Sequence, residues 1–158
     1  MSGLRSLKLL LLEPDSDDAC LLAEAIAEMD ASGRWVRWMP IDTLRLESLE
    51  DSLACLRETQ FDAVLLNPRL PEGPAAFQAF LEIRAAAQHT PILVLTNDDD
   101  DSLAACFLRN GAQDVLLKRE LDSLPLARAI RNAIERERMP APCPSCADGL
   151  RRLSTAAQ

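Results

Sequence analysis

The chain of 158 residues has no tyrosine and a single histidine, and aromatic residues make up only 4% of it. Its core must therefore come from Leu, Ala, Ile and Val, the material of helices packed on an apolar sheet. Apolar residues total 48%, and the length suffices for one domain with a buried core. A long hydrophobic run is also missing. The N-terminal apolar run, Leu9 to Leu12, stops at Glu13 and is too short for a signal-peptide core, and no later stretch approaches a membrane span. The expectation is a cytoplasmic protein without membrane contact. An excess of basic charge is lacking too: the formal net charge is −8, which repels phosphates and disfavours a nucleic-acid partner. The five cysteines are an odd number, and they suit a reducing compartment better than a disulfide framework. Cys143 and Cys146 form one C-x-x-C with no second pair, so zinc would need two more ligands. Cys20, Cys55 and Cys106 fall in helical segments and read as small packing residues.

What is present is an alternation of short apolar runs with longer stretches of helical periodicity, the pattern of an α/β fold with a parallel sheet. Leu7 to Leu12 reads as the first strand. Asp15 or Ser16 can cap a helix with Ala19, Leu22, Ala23, Ile26 and Ala27 on one face. A turn at 31–33 leads to a second strand at Trp35 to Met39, with Trp35 and Trp38 on opposite faces. A helix follows over 46–58. Strands at 61–66, 91–96 and 115–117 then alternate with helices at 75–87, 102–110 and from Ser123 to about Met139. Gly111 closes one of these helices, and Pro125 sits in the first turn of the last. Beyond Met139 the prolines break any helix. The chain thus divides into a domain over 1–139 and a tail or linker over 140–158.

Five β-α repeats predict a doubly wound, flavodoxin-like parallel sheet of order 2-1-3-4-5 with helices on both faces. In such sheets ligands and chemistry lie beyond the carboxyl ends of the strands. That rule alone selects Glu13 to Asp15, Asn67 to Arg69, Thr96 with Asn97, and Lys118.

Four segments at these strand ends carry a resemblance: Leu10 to Asp18, Phe61 to Gly73 (with Asn67-Pro68 at its centre), Pro91 to Thr96, and Gly111 to Lys118. Together, in order and at this spacing, they resemble the receiver domain of two-component response regulators over about Leu7 to Arg138. The resemblance implies a signalling module without enzymatic activity. Such a module has two acids after the first strand and an aspartate after the third that bind Mg²⁺, the last of them accepting a phosphoryl group. It also has a Thr or Ser after the fourth strand and a Lys after the fifth. Thr96 and Lys118 match, and Glu13 stands at the first acidic position. Pro14 occupies the second, Asn67 the phosphoacceptor position, and Arg69 the place whose backbone carbonyl would meet the metal. Val115 replaces the family's usual aromatic, and Arg119 its usual proline.

An acyl phosphate needs a carboxylate oxygen as nucleophile, which the amide of Asn67 does not offer. Glu13 and Lys118 alone sum to about zero charge. Each carboxylate missing at about 4 Å forfeits roughly 4 kcal/mol of attraction for a cation at an effective dielectric near 20. No catalytic residue, metal or cofactor is therefore expected, with Glu13 and Asp15 as weak Mg²⁺ candidates. Asp62 starts the third strand, roughly 16 Å from Asn67, and cannot stand in. Asp15 reads more readily as a helix cap, and Glu72 as a loop residue facing water. Pro68 has no N–H, which blocks the usual succinimide route from Asn67 to aspartate. Asp98 to Asp101 read as solvated acids at a helix N-terminus. The expected function is phosphorylation-independent signalling through a protein partner or a downstream output domain, with a homodimer through the last helix as the family's common arrangement. The alternatives are a phosphoacceptor using a non-standard acid, and a sensor of anions or small ligands in the emptied pocket.

Overall fold

The computed structural model describes residues 5–32, 40–71 and 73–138. Within them the chain alternates β1 (Leu7–Leu12), α1 (Ser16–Ser32), β2 (Ile41–Leu46), α2 (Leu49–Glu58), β3 (Ala63–Leu66), α3 (Ala76–Ala86), β4 (Ile92–Thr96), α4 (Asp101–Arg109), β5 (Asp114–Leu117) and α5 (Ser123–Arg138), with a 3-10 turn at Lys118–Glu120. All strand pairings are parallel and the sheet order is β2-β1-β3-β4-β5, as the repeat pattern predicts.

The runs of leucine and valine are explained by a sheet covered on both faces. Successive side chains of a strand point to opposite sides. Leu7, Leu9 and Leu11 of β1 join Ala63, Leu65, Leu93 and Leu95 under α1 and α5. Leu10 and Leu12 join Val64, Leu66, Ile92 and Val94 under α2, α3 and α4. On that second side Phe80 and Phe107 meet edge to face, with ring centroids 5.3 Å apart. The leucines Leu9 to Leu12 are all within 1% of full burial. Truncating any of them to alanine would cost about 2–5 kcal/mol.

The structure corrects three expectations. The strand that pairs with β1 is Ile41–Leu46, not Trp35 to Met39, which lie outside the described residues together with both tryptophans. The segment misleads because β2 is an edge strand, only half-buried, with polar residues at 42, 43 and 45. Second, α1 continues through residues 31 and 32, and its buried stripe is Ala19, Leu22, Ala25, Ile26 and Met29. Ala23 and Ala27 face outward. Third, Cys20 and Cys106 are exposed and Cys55 is half-buried, so none is a fully packed core residue. The tail over 140–158, with Cys143 and Cys146, lies outside the described residues.

Candidate functional site

The carboxyl ends of β1, β3, β4 and β5 bring Glu13, Asn67, Thr96 and Lys118 to one edge of the sheet. Glu13 is fully buried, and its carboxylate is the hub. Oε2 lies 3.2 Å from the Lys118 ammonium. Oε1 accepts the side-chain N–H of Asn67 at 2.9 Å and the backbone N–H of Asp15 at 3.2 Å. The carbonyl oxygens of Glu13 and Pro14 accept the Arg45 guanidinium, at 3.1 and 3.4 Å. The ordered strand end therefore depends on β2 as well.

Lys118 also reaches Asp18 in the first turn of α1, at 2.6 Å. Asp18 is the residue that the sequence pattern did not single out. It corrects the charge balance: Glu13, Asp18 and Lys118 together carry about one negative charge rather than none. Burial opposes the charged ammonium, but the hydrogen bond to Asp18 and the field of Glu13 outweigh it. They hold the Lys118 pKa above its ordinary value.

Asn67 is buried, and both ends of its amide are used. The nitrogen donates to Glu13, and the oxygen accepts the backbone N–H of Arg69 at 3.0 Å. The Arg69 side chain then pairs with Asp98, whose own backbone N–H donates to the Thr96 hydroxyl oxygen at 3.0 Å. A continuous chain of contacts thus joins the ends of four strands: Lys118 to Glu13, Asn67, Arg69, Asp98 and Thr96. The acidic run after β4 is more engaged than expected. Asp98 pairs with Arg69, Asp99 pairs with Arg119 at 3.0 Å, and Asp100 caps α4 through the N–H groups of Ser102 and Leu103.

Asp15 is exposed and acts as the cap of α1, where one carboxylate oxygen accepts the N–H groups of Asp17 and Asp18. The Asp18 N–H is the main cause of its lowered pKa, which desolvation opposes and the Asp17 N–H, Lys118 and Arg45 reinforce. Pro14 is half-buried beside it. Asp62 lies at the opposite edge of the sheet, held by the backbone N–H of Lys8 and by Arg5 and Arg138. Glu72 lies outside the described residues. Among the described residues, no three His, Cys, Asp or Glu side chains converge as metal ligands would.

A five-stranded doubly wound sheet with an acid, a threonine and a lysine at adjoining strand ends defines a receiver-type signalling module. The response regulator receiver domain model matches residues 29–141, and the chain belongs to that family. Glu13 and Asp18 precede the matched segment. The fold is similar to the receiver domain of a sensor histidine kinase from Pseudomonas aeruginosa PAO1, which holds a magnesium ion coordinated in its active site cleft (19% identity, TM-score 0.66, covering 83% of this chain and 99% of that one). It is also similar to a response regulator from Chloroflexus aurantiacus J-10-fl (22%, TM-score 0.68, 83% and 99%). A two-component response regulator from Clostridium difficile gives 23% identity and a TM-score of 0.65 over 87% and 100% of the two chains. At these identities the likeness is one of fold. No curated protein matches significantly. No described helix is long and apolar enough to cross a membrane.

Proposed function

We propose that this receiver domain works without phosphorylation, as a cytoplasmic module that presents a fixed cleft to a protein partner or a downstream output domain. The observation that carries the reading is the hydrogen bond from the Asn67 amide to Glu13. In the family's chemistry residue 67 would supply an anionic nucleophile, and here it supplies an N–H donor to the neighbouring acid. The donor set also fits magnesium poorly. A hard divalent cation wants several free carboxylate oxygens. Glu13 is shared among Lys118, Asn67 and the Asp15 N–H, Asp18 is paired with Lys118, and Asp15 caps α1. The same pairing speaks against an anion sensor, since a ligand would have to displace two carboxylates from Lys118.

The test is exposure of the protein to acetyl phosphate, and separately to beryllium fluoride, each with Mg²⁺. Intact mass and calorimetry are expected to show neither covalent label nor stoichiometric binding. Label at Asp15 or Glu72, located by borohydride trapping and peptide mass spectrometry, would establish a non-standard phosphoacceptor instead. Specific thermal stabilisation by phosphate alone would establish the anion sensor.

A further inference from the structure

Two ion pairs reach adjacent residues of one loop from opposite sides. β4 lies between β3 and β5 in the sheet. Arg69, two residues beyond Asn67 and in the loop after β3, pairs with Asp98. Arg119, in the 3-10 turn after β5, pairs with Asp99. The next residue, Asp100, is the cap of α4, and the Asp98 N–H is tied to Thr96. Four consecutive aspartates repel one another, and each of the first two meets a guanidinium from the segment that follows a flanking strand. We propose that Arg69 and Arg119 form a charge latch that fixes the β4–α4 loop and, through Asp100, the first turn of α4. The latch ties the surface of α4, where Leu108 is 47% exposed, to the strand ends. It does not depend on whether residue 67 reacts.

All four side chains are more than one-third exposed, so each pair alone is weak and open to screening. That is suited to a switch. An acidic group on a partner that captures either guanidinium, or raised ionic strength, releases the loop while the buried pair of Glu13 and Lys118 stays closed.

Hydrogen exchange read by mass spectrometry on the whole chain tests the latch. In an Arg69→Gln, Arg119→Gln variant, amides from 98 to 103 are expected to exchange about five-fold faster than in the native protein, from the small free energy of two exposed pairs. Peptides of β1 and β3 should be unchanged. Salt at about 1 M should accelerate the same amides in the native protein and should not accelerate them further in the variant. An Arg69→Lys, Arg119→Lys variant should retain most of the protection. Where the double glutamine variant fails to fold, Arg69→Gln and Arg119→Gln made singly give the same readout, each from one side of the loop. Unchanged exchange over 98–103 in the folded variants, or acceleration spread evenly over the domain, overturns the proposal.

Discussion

Asn67 donates its side-chain N–H to Oε1 of Glu13 across 2.9 Å, so the end of β3 gives the buried acid a donor. This contact makes the strand ends self-sufficient. A buried carboxylate with an ammonium on one oxygen and two N–H donors on the other has its hydrogen-bonding needs met without a metal ion. The amide at 67 also orients the following loop, because its oxygen holds the Arg69 N–H.

On the proposed reading, placing an acid at residue 67 should therefore harm the protein in the absence of Mg²⁺. Asn67→Asp replaces a donor with a carboxylate facing Glu13, and no second acid stands at Pro14 to help recruit a metal. Stability in the absence of Mg²⁺ is expected to fall by about 1–3 kcal/mol, the cost of a buried polar group losing its partner. Millimolar Mg²⁺ should recover part of that loss, since the variant gains an oxygen ligand. Urea denaturation with and without MgCl₂ checks this. A variant as stable as the native protein without Mg²⁺ would mean that the amide contact has no energetic weight.

The pair of Lys118 and Glu13 gives a second prediction. Their side chains are 8% and 0% exposed, so removing one partner leaves an uncompensated charge in a poorly hydrated place. Lys118→Met is expected to cost about 3–5 kcal/mol, whereas Glu13→Gln combined with Lys118→Met should recover much of it. A double-mutant cycle from urea titrations gives the coupling, expected at about 1–3 kcal/mol. Additive effects would show that the two groups do not depend on each other. Asp18 will moderate the result, because it keeps a claim on the ammonium in Glu13→Gln alone.

Most of this arrangement is legible in the sequence. Strands buried on both faces leave runs such as Leu9 to Leu12 and Ile92 to Leu95, and the sheet order then follows from the β-α alternation. Glu13, Asn67, Thr96 and Lys118 could be found because strand ends are marked in the sequence by the residue that stops an apolar run. β2 is hidden for the opposite reason: Ile41, Thr43 and Arg45 are only partly covered, so the apolar signal of Trp35 to Met39 is stronger. Asp18 was missed because it belongs to a helix rather than a strand end. Its availability to Lys118 depends on how α1 sits on the sheet. Cys20 follows the buried Ala19, and one helical step of about 100° is enough to carry it from core to solvent.

The shifted pKa values of Lys118 and Asp15 set the two limbs of the stability profile. Lys118 titrates above its ordinary 10.5 in the folded chain. The folded state therefore holds its proton more tightly than the unfolded state. The contribution is complete below 10.5 and disappears as pH rises through the higher folded value. Asp15 titrates below its ordinary 3.8, so its contribution is present above 3.8 and disappears as pH falls through the lower folded value. Neither group titrates near neutrality, and these two contribute no slope there. Urea midpoints measured across pH should fall on the alkaline side in the native protein and lose the Lys118 share of that fall in Lys118→Met. On the acid side Asp15→Asn, which retains an oxygen to cap α1, should flatten the Asp15 share. If Lys118→Met keeps the full alkaline slope, the ammonium is not held by Glu13 and Asp18 in solution, and the closed cleft loses its central contact.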